Sequence, residues 1–430
     1  MESRPVGNIF SSAIRLSAGT VVASLIPILL QPVLRKLYSP EAFGALSVYI
    51  SLVGIIVVVS SFKYELAIAL PESSDDAKAV FHLSILIASL LNTTLFILIC
   101  LFPDLIVRIL NYPEKYRKWI YFIPLSALLF SIYNAFHFWM IRNRLFHFAG
   151  LSKICRRAGE GMGQVFLSTG RSFGLGLFIG DIIGQMVNVM SGLLFSIRNG
   201  LKIVIIDKPR IYKMAGRYKQ FSIYNTIPTL LNTLTIALPV FLVNAKYGET
   251  NTGYLDLTRL LLFIPLVFVS EPLSQVLFQR FNDFKKNSKS LLNDFIRITS
   301  IMGLAGLFGI IITFLLSKSF ILWLFGETWI KSANFANILV ISILFRFVTE
   351  PFKLIFAAFE KIKLYSVWQT IYFITISGMF FINNLKIESF LSLFVILESA
   401  CFLLLLSLII VQIDRHEKLV NRLNRYEADQ

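Results

Sequence analysis

Apolar runs long enough to cross a bilayer recur from one end of the chain to the other, and the polar residues between them stand in short clusters. A membrane-crossing helix needs about 20 mostly apolar residues to span about 30 Å of hydrocarbon. Twelve stretches meet that need, at about 12–34, 42–62, 79–102, 119–141, 151–169, 173–197, 222–244, 254–279, 295–316, 333–356, 364–382 and 389–412. The fifth is the least apolar, with Arg156, Arg157 and Glu160 near its start, and is placed there because the charges of its neighbours require a crossing. The expected fold is all-α, a polytopic membrane protein of about twelve transmembrane helices.

Composition strengthens this reading. Hydrophobic side chains make up 56% of the 430 residues and charged ones 15%, against about 25% charge in soluble domains. Lys and Arg outnumber Asp and Glu by 41 to 25, an excess that suggests nucleic acid in a soluble protein but cytoplasmic loops in a membrane protein. With the N-terminus inside, the inside segments hold 26 of the basic residues and the outside loops 11, so both termini are expected in the cytoplasm. No nucleic-acid partner is expected. The first apolar stretch is too long for a signal-peptide core and is expected to be retained as a helix. Cys100, Cys155 and Cys401 lie in or beside apolar spans without paired spacing, so no disulfide is expected.

The basic stretch 198–221 divides the spans six and six. We therefore expect an N-terminal six-helix lobe over 1–197, a cytoplasmic linker over 198–221, a C-terminal lobe over 222–413 and a cytoplasmic tail over 414–430. The tail alternates basic and apolar residues, as a short surface helix or a frayed end would. The halves share a trace of repetition: Tyr38, Gly44 and Leu46 recur as Tyr247, Gly253 and Leu255, each at an offset of 209. Lobes of six helices share one orientation, which implies a pseudo-two-fold axis along the membrane normal and a central cavity between them.

Ionisable residues inside spans each cost about 2.5–3.5 kcal/mol on insertion scales, so they mark cavities, partners or snorkelling routes. Arg259 in the eighth span shares a helical face with Ser270 and Ser274, a stripe suited to a cavity, although Arg259 at the headgroups beside Asp256 fits equally well. Arg15 opens the first span, where an interfacial position is the plain alternative. Asn225, Thr229 and Asn232 form one polar face of the seventh span. Lys63 closes the second span beside Tyr64 and Glu65, where a solvated loop is the plain reading. Arg346 and Glu350 stand four apart in the tenth, with Lys353 three further on. Asp181, Gln185 and Asn188 repeat that spacing in the sixth span, while Glu160 with Gln164, and Glu398, are similar. Asp181, Glu160 and Glu398 are candidates for proton or cation coupling, with helix-packing contacts the commoner role for such groups. Prolines punctuate spans one and seven in pairs, Pro27 with Pro32 and Pro228 with Pro239, and each can kink its helix.

Signals of catalysis are missing. There is no Walker motif, nucleophile motif or metal-spaced cluster, and His82, His137, His147 and His416 are scattered. No cofactor, metal or enzymatic activity is expected.

Four segments carry a family resemblance. LSAGTVVASLIPILLQPVLRKLYSPEAFG at Leu16 to Gly44, FKYELAIALPES at Phe62 to Ser73, GYLDLTRLLLFIPLVFVSEPLSQVLFQRF at Gly253 to Phe281 and LFGETWIKSANFANIL at Leu324 to Leu339 together resemble bacterial polysaccharide transporters. These are the O-antigen flippases of the multidrug/oligosaccharidyl-lipid/polysaccharide exporter superfamily, and the turn at Tyr38 to Gly44 is the most specific piece. The resemblance implies movement of an undecaprenyl-pyrophosphate-linked oligosaccharide across the membrane by alternating access. It also implies cationic substrate contacts, here Lys63 and Arg259, with a polymerase and a chain-length regulator as common companions. Arg15 joins these contacts by analogy with cationic first-helix residues of the related lipid-linked peptidoglycan precursor flippases, and Arg346 is a further candidate from its place in a span. Position 63 is Lys where the family often has Arg, which keeps the charge but loses the bidentate fork. Tyr133, Asn134, His137, Trp139 and Trp368 are candidate sugar contacts. The competing reading is a cation-coupled multidrug or metabolite antiporter of the related multidrug-extrusion family, which would rely on buried carboxylates such as Asp181.

Overall fold

The structure, a computed structural model, describes residues 23–169, 174–201, 208–287 and 290–428. Among these residues the regular elements are helices and no strand occurs. The protein is a polytopic all-α membrane protein. The chain separates into two compact units, Met1–Gly253 and Tyr254–Gln430.

In the first unit, helix α1 covers 23–37 and leads through a short turn into α2, Pro40–Ser60. Local chemistry starts α2: the Ser39 hydroxyl accepts from the Ala42 amide, Pro40 supplies a fixed φ at the first helical position, and Glu41 meets the helix dipole. It ends where Phe62 and Lys63 both take positive φ, 45° and 59°. Helix α3, Ser74–Leu101, opens with Asp75 and Asp76 in its first turn. Then come α4 (Pro103–Leu110), α5 (Ile123–Arg142), α6 (Phe146–Phe166) and α7 (Leu175–Arg198). Helices α6 and α7 pack backbone to backbone because α7 presents glycines every fourth residue. A Cβ at Gly180 would lie 2.7 Å from the Gln164 nitrogen, and one at Gly184 would lie 2.6 Å from the Glu160 Cβ. A core of Phe81, Phe136, Trp139 and Met214 fills the opposite end of the bundle.

Helix α8, Lys208–Pro265, joins two expected spans and part of the expected linker into one element, broken at Gly248 (φ 80°, ψ 175°). By compactness alone the chain divides at 253/254. The physical reason is local: the start of α8 packs onto the first unit, with Tyr64 Oη donating to the Ala215 carbonyl at 2.9 Å and Ser222 Oγ donating to the Phe62 carbonyl.

The second unit continues from α8 through a π-helical turn, Leu266–Ser270, into α9, Glu271–Asn287. Helices α10 (Leu292–Phe325), α11 (Lys331–Thr349), α12 (Ile355–Ala358), α13 (Ile362–Gly378) and α14 (Ile387–Ala428) follow. The expected tail is the helical continuation of α14. Glu417 Oε1 accepts from the Leu291 and Leu292 amides at 2.6 and 3.1 Å, capping the start of α10.

Length and composition alone mark seven candidate crossings among the described residues, against twelve expected spans, the first of which lies partly outside those residues. One of the seven runs from Lys208 to Phe284 and contains two expected spans. Helix α13 has 17 residues and misses the length criterion, and α6 carries Lys153, Arg156, Arg157 and Glu160. Large apolar side chains such as Leu90, Phe166, Leu315 and Trp323 point outward, 68%, 71%, 72% and 77% exposed. That inverted surface suits a hydrocarbon solvent.

Candidate functional site

Within the first unit, α1, the turn after α2, α5, α6 and α7 line a cavity of about 410 Å³ whose charged residues are Lys63, Glu65, Lys153, Arg156 and Arg157. Two local devices deliver the cations. Lys63 sits in the left-handed turn that ends α2, with its ammonium 3.5 Å from the Glu65 carboxylate. Glu65 is 1% exposed and accepts from the Ser61 hydroxyl. Lys153, Arg156 and Arg157 come from little more than one turn of α6, the helix whose charge made it the least apolar span.

The glycine-packed α6/α7 pair sets the electrostatics. Arg157 donates to Glu160 at 2.8 Å, one turn along the same helix. Arg156 faces Asp181 of α7 at 3.9 Å, and Gln185 donates to the same carboxylate at 2.7 Å. The Arg156 side chain also lies over the Phe130 ring at 4.9 Å. Its Nε is buried and has no hydrogen-bond partner within the protein, and the same holds for Asn188 Oδ1 and His137 Nδ1. Unmatched polar atoms of this kind in a cavity wall are costly to leave unpaired, so they favour a polar ligand. Tyr133, Asn134 and His137, three of the candidate sugar contacts, join the lining. Trp139 is packed in the core against Phe81, and Trp368 of the second unit donates to the Cys401 carbonyl at 2.7 Å, so neither lines this cavity.

The second unit holds its own charged cluster. The guanidinium groups of Arg259 and Arg346 both rest against Phe263, at 5.4 and 4.8 Å from the ring centre. Arg346 lies 4.0 Å from Glu350, and Lys353 bonds Glu350 at 2.5 Å while standing 3.9 Å from Glu271. The helical ion pair expected from spacing is therefore present, extended to a second carboxylate. Glu398 accepts from Tyr372 Oη at 2.7 Å.

The residues of the expected polar stripes do not join the lining of the first-unit cavity. Asn225 and Thr229 bond carbonyls of their own helix at 2.7 Å, and Asn232 is exposed. The buried polar face of α8 is offset from them, at Ser222, Thr226 and Thr235. Ser270 and Ser274 are buried, and Ser270 donates to the Phe347 carbonyl at 3.3 Å. The intervening π-turn advances the helix by extra residues per turn, which takes the serines out of phase with Arg259. Arg15 lies outside the described residues.

Sequence reasoning named Lys63 but passed over Lys153, Arg156 and Arg157. The signal was available: three cations within five positions of a membrane helix need an aqueous or paired environment.

Among solved structures, the chain resembles a multidrug resistance MATE family transporter of the MOP superfamily in its inward-facing conformation. The TM-score is 0.73 at 12% identity, over 95% of this chain and 99% of that one. It resembles the lipid II flippase MurJ in an inward closed conformation with the same TM-score, 0.73, at 17% identity over 97% and 93%. At these identities the likeness shows the fold alone. No curated protein is similar to it in sequence at a significant level. The sequence pattern of one family, described as polysaccharide biosynthesis protein, matches residues 33–334, more than two thirds of the chain, and this protein belongs to that family.

Proposed function

We propose that the protein is a flippase. It moves an undecaprenyl-pyrophosphate-linked oligosaccharide, an O-antigen or capsule repeat unit, from the cytoplasmic to the periplasmic leaflet of a bacterial inner membrane. It works by alternating access of two six-helix lobes around a central cavity, with both termini cytoplasmic and no enzymatic chemistry. The observation that carries this reading is the cavity of the first unit, where four cations share a wall with Tyr133, Asn134 and Asn188. Diphosphate is a concentrated anion with acceptor oxygens only, and Arg and Lys in a low-dielectric site bind it through short charge-assisted bonds. The neutral polar groups suit sugar hydroxyls, which both donate and accept.

The carboxylates temper the cations. Glu65 and Asp181 stand 3.5 and 3.9 Å from Lys63 and Arg156, too long for direct hydrogen bonds, so these cations keep donors to offer an anion. Arg259 and Arg346 supply a further cationic contact, Arg15 another on the first span. The polar residues Asn225, Thr229, Asn232, Ser270 and Ser274 serve helix packing in this reading. Asp181, Glu160 and Glu398 are the groups that would carry a coupling proton or cation. An inside-negative potential already favours outward movement of an anion, by about 2.3 kcal/mol per charge per 100 mV. The partners are membrane lipids, the lipid-linked substrate, and a polymerase with its chain-length regulator.

The test is the leaflet distribution of labelled lipid-pyrophosphoryl oligosaccharide in cells depleted of the protein, read with an impermeant probe. Accumulation in the inner leaflet is expected. Accumulation in the outer leaflet points to polymerisation instead, and none at all points to the antiport of a smaller solute.

A further inference from the structure

Lys63 reaches the cavity from a costly backbone. Phe62 and Lys63 take φ of 45° and 59° in succession, and each left-handed residue other than glycine costs about 1–2 kcal/mol. Within the turn the Phe62 amide donates to the Val59 carbonyl at 3.1 Å and the Tyr64 amide to the Ser61 carbonyl at 3.0 Å. The peptide that joins Phe62 to Lys63 is held from outside the turn, by α8.

Ser222 supplies that hold, and its bond is unlike those of the hydroxyls that follow it. Thr226, Thr229, Thr233 and Thr235 each donate to the carbonyl four residues back in α8, a common use of a hydroxyl inside a helix. The Ser222 hydroxyl instead donates to the Phe62 carbonyl, whose oxygen belongs to the peptide just before Lys63. Seven residues earlier, about two helical turns, the Ala215 carbonyl accepts from Tyr64 Oη at 2.9 Å. Tyr64 is buried in a cluster with Ala67, Ile68, Met214 and Tyr218, which anchors the residue just after Lys63. The start of α8 thus grips both neighbours of Lys63.

We propose that Ser222 and Tyr64 are positioning residues for substrate binding, a clamp through which the start of α8 holds the left-handed turn and keeps the Lys63 ammonium at the cavity wall. The proposal rests on the reading of that cavity as the seat of the substrate's diphosphate. Glu65 cannot do the same work, because its carboxylate stands 3.5 Å from the ammonium, too long for a direct hydrogen bond. Backbone geometry therefore aims the side chain. A residue that leaves the left-handed region turns its Cα–Cβ bond to another side of the chain, and a long side chain carries that turn out to its charge. Without the clamp the ammonium stands at the wall for only a fraction of the time, and apparent affinity for an anion falls by that fraction.

The experiment uses the full-length protein in lipid nanodiscs, with inorganic pyrophosphate as the probe and binding read by calorimetry. Lys63→Ala, Ser222→Ala and Tyr64→Phe are each expected to weaken binding about tenfold. Thr226→Ala, which removes a hydroxyl bonded to its own helix, is expected to leave binding unchanged. Ser222→Ala added to Lys63→Ala is expected to weaken binding no further, whereas a general structural loss would add to the first. A second arm reads the turn without any ligand. In a chain with Cys100, Cys155 and Cys401 replaced by Ala, Lys63→Cys carries a nitroxide label. Its paramagnetic resonance spectrum is expected to be broad and immobilised, and to become narrow and mobile on adding Ser222→Ala or Tyr64→Phe. Additive losses in the double variant overturn the proposal, as does unchanged pyrophosphate binding by both clamp variants or a spectrum that neither of them alters. If the wild-type protein binds no pyrophosphate, the diphosphate assignment has failed, and the spectrum alone decides whether α8 holds the turn.

Discussion

Gly44 and Gly253 stand 209 positions apart in sequence and press against each other's helix so closely that neither has room for a methyl group. Each is excluded from a side chain by the carbonyl four residues before the other. A repeat that in sequence is three matched letters is, in the folded chain, a symmetric contact.

The α6/α7 pair makes a comparable demand. Gly180→Leu would drive a side chain into the Gln164 backbone, which cannot move without breaking α6. Overpacking of this kind costs about 1–3 kcal/mol or more. We expect loss of the melting transition in detergent or retention failure during membrane insertion, measured by fluorescence-detected size exclusion. Full recovery of wild-type behaviour would rule out the close approach.

Separating Arg156 from Asp181 should show the asymmetry of buried ion pairs. Asp181→Ala leaves Arg156 uncompensated and is expected to destabilise the protein by about 3–5 kcal/mol. The double variant Arg156→Met with Asp181→Leu is expected to regain most of that loss in the same thermal melt while losing transport. A double variant as unstable as Asp181→Ala would show that the two groups do not act as a pair.

The cations should separate function from stability. Lys63→Ala, Lys153→Ala and Arg259→Ala are expected to reduce oligosaccharide export about 10–100-fold, the value of one lost charge-assisted hydrogen bond at about 1.5–3 kcal/mol. Lys63→Arg keeps the charge and should retain most export. Amounts in the membrane, read by immunoblot, should stay near wild type. Normal export by all three alanine variants would exclude the charge argument.

Tyr372→Phe removes the 2.7 Å hydrogen bond to Glu398 and leaves a buried carboxylate short of a donor. The expected cost is about 1–3 kcal/mol. Glu398→Gln combined with Tyr372→Phe should cost less than the tyrosine change alone, since a neutral amide is cheaper to bury.

Phe62 and Lys63 both occupy left-handed backbone at the end of α2, with Phe62 43% exposed. Left-handed geometry costs a non-glycine residue about 1–2 kcal/mol. Phe62→Gly loses little packing and is expected to stabilise the protein by about 1 kcal/mol, read as a higher melting temperature. Lys63→Gly should gain similar stability but lose export, because the ammonium goes with it.

Hydropathy by itself determined the class of the protein, an all-α membrane chain built of long apolar helices. Bilayer thickness sets a length and a polarity that each span must satisfy locally, so that information is written in consecutive residues. The pairing of Arg346 with Glu350 was also legible, because helical neighbours are fixed by spacing. Other features were decided only by tertiary packing. Neither the joining of residues 222–253 to the first unit nor the meeting of Gly44 with Gly253 follows from any local pattern. The same is true of the cavity, where Lys63 of the turn after α2 lines the same wall as the α6 cations, and glycines on α7 let the α6 and α7 backbones touch. A long-range contact depends on which surfaces fit, and in lipid, where apolar faces are equivalent, only close packing and polar partners choose between them.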